Sequence, residues 1–486
     1  MSKKIIEIKD AIPGIAEMQL KHPVSWSLFK NENWAFIGPN GAGKTLLADI
    51  LCRKTVLKQG CISHAFDKSI TSPIQTITFR NVYDLADYKN MYYQQRFNAS
   101  ENEDAPLVDD LLDFSDTNLD EMLDAFDLKR LLGKQIILLS SGELRKFLIV
   151  RTLQKRPKIL ILDNPFIGLD YTSREHLKSM LERLSKLSGL QIILLVSAIK
   201  DIPEMITHVL PIVNKEMFSP VKKEDFLSNL ELQENIFPVK NALESFPVSE
   251  KSEYHFNHTV ILKNVCIKYG NRTILQNINW KITKGEKWAL LGPNGSGKST
   301  LLSLIYADHP QGYANDIRLF DRKRGSGESI WEIKKEIGCV SPEMHLFYLK
   351  NVTAIEIVGS GFFDTIGLYR KCNEEQLKKC REWMRIFGIE HLQHISFLKL
   401  SSGEQRLALL ARAFVKNPAL LILDEPLHGL DESNKKLAKK IIEKFCNSPE
   451  KTLIYVTHYE EEIPSIVTKR FLLGQPNNSP HFSKEK

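Results

Sequence analysis

The chain has 486 residues, of which 43% are apolar and 26% charged, and its net charge is +7. That composition excludes a disordered chain, a collagen-like repeat and a coiled-coil rod, and the length provides for about two to four packed domains. Residues 1–250 carry 31 Lys+Arg against 33 Asp+Glu, so the second half is basic by about nine charges; such a surplus can meet a polyanion but is more often a solvated face.

At the start of the chain, MSKKIIEIKD lacks the apolar stretch of a secretory signal, which predicts a cytoplasmic protein. WAFI reads as a short buried strand that runs into a glycine loop made of Gly38, Pro39, Asn40, Gly41, Ala42, Gly43, Lys44 and Thr45, and TLLADILC has helical spacing. Such a loop cradles phosphate: glycines let backbone N–H groups wrap the anion, and the helix start adds positive potential. The lysine reaches the terminal phosphates, and the hydroxyl is a magnesium ligand. After Gln95 in YYQQRFN comes an acidic segment, Glu101–Asp127, with eleven carboxylates and no basic residue. It reads as a solvated helix pair or as a docking face for a basic partner. LSSGE follows, with Ser140, Ser141 and Gly142 at a helix start, and then LILDNP, a continuous apolar run ending in Asp163. A run of that kind is a strand buried on both faces of a parallel sheet. The greasiest stretch, Leu190–Ile199, falls short of the roughly 20 apolar residues a membrane span needs. From Phe218 to His258, Pro, Ser, Asn and charge mix without period, which predicts a linker.

The plan then repeats. VCIKYG brings Tyr269 to a strand end, and WALLGPN leads into Gly292, Pro293, Asn294, Gly295, Ser296, Gly297, Lys298, Ser299 and Thr300. A basic turn, Arg322–Arg324, has either a phosphate to meet or only solvent. LSSGE returns with Ser401, Ser402 and Gly403, LILDEP gives Asp424 and Glu425, and YVTH ends in His458. The signature glycine and the strand aspartate are 21 residues apart in both copies, which chance does not reproduce. The predicted fold is α/β: two tandem P-loop domains at residues 1–217 and 259–486, each a doubly wound, mainly parallel sheet, with a linker at 218–258. Seven scattered cysteines without a CxxC pair encode neither a zinc nor an iron–sulfur site and point to a reducing compartment.

LSSGE upstream of a strand ending in aspartate resembles the signature of ATP-binding cassette ATPases, over nearly the whole chain. The resemblance implies a helical signature subdomain in each cassette, ATP and Mg²⁺ as cofactors, and nucleotide held head to tail, the phosphate loop of one cassette facing the signature of the other. It assigns one site to Lys298, Ser299, Asp424, Glu425 and His458 with Ser140, Ser141 and Gly142. There Glu425 is the catalytic base, His458 the switch histidine and Tyr269 the adenine platform. The other site combines Lys44, Thr45, Gln95 and Asp163 with Ser401, Ser402 and Gly403. Asn164 stands there in place of the base, Ala198 in place of the histidine and Ile15 in place of the aromatic, so one competent and one degenerate site are expected. In the second copy Pro342, which has no side-chain donor or acceptor, takes the place of the metal-binding glutamine, with Glu343 next to it.

The run Asp308–Gly338, together with the altered first copy, is similar to the double cassette proteins of the ModF/PhrA type, a family linked by name to molybdenum transport and photorepair. That similarity implies the ATP-binding component of a transport system, acting at the inner face of the membrane through a separate transporter subunit. Two alternatives stay open. One is an ABC-F-like translation factor on the ribosome, although the short linker is unlike theirs; the other is a nucleic-acid-repair or regulatory ATPase, to which the basic second half is suited.

Overall fold

The computed structural model describes residues 3–482 apart from 17–18, 67–71, 80–105, 137–138, 140, 168, 170, 188, 239–245, 247–254, 271, 294, 343, 345–347, 349–350, 366–369 and 475–479. The chain divides into two compact units, Met1–Pro238 with Asp431–Ser433, and Val239–Leu430 with Asn434–Lys486.

In the first unit, β1 (Lys4–Pro13), β2 (Val24–Phe29) and, further on, β4 (Leu57–His64) form an antiparallel sheet in the order β2–β1–β4. The main sheet is built on β3 (Trp34–Ile37), β5 (Ile74–Thr78), β6 (Ile159–Asp163), β7 (Gln191–Val196) and β8 (His208–Val213). They run parallel in the order β5–β6–β7–β3–β8. β9 (Glu216–Met217) and β10 (Val221–Lys222) add antiparallel to β8. All five residues of β6 are buried, as its unbroken apolar run requires. Its pleat sends Ile159 and Ile161 into one core with Leu47 of the helix Lys44–Leu51, and Leu160 and Leu162 into another with Leu144 and Phe147 of the helix Ser141–Leu153. One strand therefore fixes both the phosphate-loop helix and the signature helix, each buried side chain contributing about 1.5–3 kcal/mol.

The second unit repeats this plan. β11 (His258–Tyr269), β12 (Arg272–Thr283), β14 (Asp316–Leu319) and β15 (Arg322–Lys323) form an antiparallel sheet ordered β12–β11–β14–β15. β13 (Lys287–Leu291), β16 (Ile337–Val340), β17 (Leu420–Asp424), β18 (Thr452–Val456) and β19 (Lys469–Leu472) form the parallel sheet in the order β16–β17–β18–β13–β19, closed by β20 (Pro480–Phe482) antiparallel to β19. Leu420 and Ile422 face the phosphate-loop helix Lys298–Ile305, and Leu421 and Leu423 face the signature helix Ser402–Phe414.

Residues 218–238 and the basic turn take shapes that local composition did not specify, whereas the acidic segment is helical in part, as expected. Residues 218–238 carry β10 and two short helices, Lys223–Ser228 and Leu230–Ile236, and they bury Phe226, Ile236 and Phe237 in the first unit's core. Sparse apolar residues without a period can still each find a pocket. The described part of the acidic segment forms the helix Leu119–Ala125, with Leu119 and Leu123 buried; Lys129 meets Asp120 at 2.9 Å and Asp124 at 2.7 Å, so its carboxylates are in part matched by local bases. In the basic turn, Arg324 is buried: it contacts Glu328 at 3.2 Å and lies 4.8 Å over the Tyr313 ring, which makes it an internal ion pair available neither to solvent nor to phosphate. No helix among the described residues is long and apolar enough to cross a membrane.

Candidate functional site

Both glycine loops leave the carboxyl ends of central strands, β3 and β13, where open α/β sheets offer a crevice. Lys44 Nζ donates to the carbonyls of Gly38 and Pro39 at 2.7 and 2.8 Å, and Lys298 Nζ to those of Gly292 and Pro293 at 2.7 and 3.0 Å. Each ammonium is folded over its own loop, at the mouth of the cradle. Glycine is obligatory at Gly38, where a Cβ would lie 1.8 Å from the Ile212 carbonyl oxygen. The helix caps, Gly43 and Gly297, have φ of 105° and 94° and supply no side-chain acceptor, so side chains leave the first-turn N–H groups to an incoming anion. Thr300 lies on the first turn of the second helix, and the Ser296 Oγ is buried without a hydrogen-bond partner among the described residues.

Thr45 Oγ1 donates to Asp163 Oδ2 at 2.9 Å, which brings a hydroxyl and a carboxylate together as hard oxygen ligands suited to Mg²⁺. Asp424 ends β17 at the equivalent place and is buried, while Ser299, the second residue of the helix Lys298–Ile305, is exposed. Thr45 with Asp163, and Ser299 with Asp424, would supply the hard oxygen ligands that Mg²⁺ takes.

The next residue divides the units. Asn164 and Glu425 share a left-handed backbone, φ 51° and 47°, and each donates its N–H to the neighbouring strand at 2.9 Å, Asn164 to Leu195 and Glu425 to Val456. Glu425 Oε1 accepts from His458 Nε2 at 3.1 Å. Burial pushes the Glu425 carboxyl up, but the His458 bond and the charges of His428, His458 and Arg406 outweigh it, so its pKa falls below the usual carboxylate value. It is an ionised acceptor at neutral pH, as a base must be. Asn164 instead donates through Nδ2 to Asp163 Oδ1 at 2.8 Å and accepts from Ser197 Oγ at 3.4 Å, and Ala198 beside it is buried. Such an amide fills the space and cannot take a proton.

At the second signature, Ser401 caps its helix reciprocally with Glu404, while Ser402 Oγ is buried without a hydrogen-bond partner among the described residues, and Gly403 follows on the first turn. In the first signature Ser141 and Gly142 open the helix Ser141–Leu153. Ser140, Gln95, Asn294 and Glu343 lie outside the described residues. Pro342 directly follows Ser341, past the end of β16. Tyr269 closes β11, and Ile15, at its place in the first unit, is 56% exposed.

A glycine cradle, a strand-end aspartate and a signature helix, each present twice on the same sheet plan, agree with the family model described as ABC transporter, which matches residues 21–167 and 275–428. The chain belongs to the ATP-binding cassette family. It is an ATP hydrolase built of two tandem cassettes. It is 36% identical over 462 residues to the ABC transporter ATP-binding protein ModF of Escherichia coli, with 91% of each chain covered, and so is similar to a double cassette protein of that type. It is 32% identical to an uncharacterized ABC transporter ATP-binding protein of Schizosaccharomyces pombe, covering 94% of this chain and 95% of that protein. Among solved structures, RNase-L Inhibitor shares the fold at a TM-score of 0.58 and 17% identity, covering 97% of this chain and 89% of that one.

Sequence reasoning missed one residue that shapes the second cassette's site. Arg406, on the signature helix, is 1% exposed and donates to the carbonyls of Ser341 at 3.1 Å, Pro426 at 3.2 Å and Asp424 at 3.1 Å, and also to that of Glu425. It ties the signature helix to the backbone that carries Asp424 and Glu425. Its burial lowers its pKa to about 10, and it stays charged at neutral pH. A signal was available: an arginine follows the signature glycine by three residues in both copies, as Arg145 and Arg406.

Proposed function

We propose that ATP is hydrolysed at one composite site and held, with very slow turnover, at the other. In the working site Lys298 binds the terminal phosphates, Glu425 takes the proton of the attacking water, and His458 orients Glu425 and contacts the γ-phosphate. Tyr269 stacks on adenine, and Ser140, Ser141 and Gly142 of the first cassette close over the nucleotide. A magnesium ion at Ser299 and Asp424 would neutralise charge on the phosphates when bound. Catalysis is then positional and electrostatic, with in-line attack on the γ-phosphate. At the other site Lys44, Thr45, Gln95 and Asp163 hold ATP and its metal ion under Ser401, Ser402 and Gly403, and the amide Asn164 leaves water unactivated. The observation that carries this asymmetry is the Glu425–His458 contact at 3.1 Å against the Asn164–Asp163 bond at 2.8 Å. Bound ATP closes the cassettes and its hydrolysis at one site reopens them.

The name of the relative ModF supports a transporter's ATP-binding role, so we infer that this cycle is spent on a separate membrane subunit; the resemblance makes a molybdenum oxyanion the first cargo to test. The experiment is a pull-down with the Glu425→Gln chain held in ATP. Capture of an integral membrane protein supports the transport reading. Ribosomal subunits, or nucleic acid retained with steep salt dependence, would replace it with the translation or repair alternative.

A further inference from the structure

At the end of β11, Tyr269 is held by a brace that comes from forty residues further along the chain. Its Oη lies 2.7 Å from His309 Nε2. His309 is 3% exposed, burial lowers its pKa, and its Nδ1 accepts the backbone N–H of Gln311 at 3.2 Å. An amide N–H can only donate, so Nδ1 is the bare nitrogen of a neutral ring and Nε2 carries the proton. The imidazole therefore donates to the phenol oxygen.

The same segment also grips the strand. Gln311 Oε1 accepts from the Lys268 N–H at 3.3 Å, and its Nε2 donates to the Lys268 carbonyl at 2.8 Å. Asn315 donates to the Gln311 carbonyl at 2.9 Å and accepts from the Cys266 N–H at 2.9 Å. Cys266, Lys268 and Tyr269 are thus all tied to His309–Asn315. The first cassette supplies an internal control: counted from the paired loop glycines Gly38 and Gly292, Tyr269 corresponds to Ile15 and His309 to Thr55, so both partners of the bond are replaced together.

We propose that His309 is a positioning residue for adenine in the second cassette, fixing the plane of the Tyr269 ring through the Nε2–H···Oη bond. The inference rests on Tyr269 being the adenine platform. A ring already held in place loses less freedom when a base stacks on it, so the brace raises affinity for nucleotides that carry a base and does nothing for the phosphates alone.

The test uses the full chain carrying Lys44→Ala, so that binding reports on the second cassette, and measures ATP and inorganic tripolyphosphate by calorimetry. His309→Asn keeps an acceptor for the Gln311 N–H and so preserves the cap, but it cannot reach Tyr269. His309→Asn and Tyr269→Phe should each weaken ATP binding about fivefold, the double variant no more than either, and tripolyphosphate affinity should stay unchanged. Additive losses, or an equal loss for tripolyphosphate, would overturn the brace. Tyr269→Ala checks the underlying reading: if ATP affinity is unaffected, Tyr269 is not the platform, whereas a loss there with none for His309→Asn refutes the brace alone.

Discussion

Where β6 and β17 end, the two cassettes trace the same backbone path: Asn164 and Glu425 have φ of 51° and 47° and donate equivalent main-chain bonds at 2.9 Å. What differs is the side chain, one an amide turned onto Asp163, the other a carboxylate held by His458. The comparison teaches that the turn is maintained by the sheet and not by catalysis. A cassette can carry Asn164 and Ala198 where the other has Glu425 and His458 and keep the scaffold, because β6 is buried on both faces and the Thr45–Asp163 pair is formed.

The harshest way to break this comparison is to change the residue after the strand-end aspartate in each cassette in turn. Glu425→Gln should slow phosphate release by about 10²–10⁴-fold while ATP still binds, and Asn164→Asp should change turnover by less than about threefold. Similar losses from the two would erase the asymmetry. A second intervention sharpens it by counting nucleotide. Lys44→Ala and Lys298→Ala should each reduce bound ATP from two per chain to one, but Lys298→Ala should abolish hydrolysis whereas Lys44→Ala should leave a measurable rate; equilibrium dialysis with a phosphate-release assay separates the outcomes. The smallest effect concerns stability. Arg406→Lys keeps a charge but loses the planar fork, and at about 1.5–3 kcal/mol per lost charge-assisted bond the second cassette's transition should fall by roughly 4–10 °C in calorimetry. An unchanged transition would mean that the four carbonyls around Arg406 find other donors.

How much of this was legible beforehand depended on the range of the interaction. The glycine loops, the buried strands ending in Asp163 and Asp424, and the exchange of Glu425 and His458 for Asn164 and Ala198 could be read directly, because each is a run of adjacent residues whose types dictate local geometry. Residues 218–238 were misleading for the opposite reason: Phe226, Ile236 and Phe237 are too sparse to show a period, yet each is buried in the first core. Arg324 misled through composition, since four basic or acidic neighbours in a turn look solvated until Glu328 closes on it.

The amino-acid sequence by itself determined that there are two cassettes and which of them has Glu425 and His458 where the other has Asn164 and Ala198, since those features lie within single strand–loop–helix segments and follow from short-range stereochemistry. Only the tertiary structure decided that Arg406 reaches the carbonyls behind Asp424 and Glu425 and that His309 donates to Tyr269. Those bonds span 18 to 40 residues and exist because separate elements pack against a shared sheet, which no local pattern encodes.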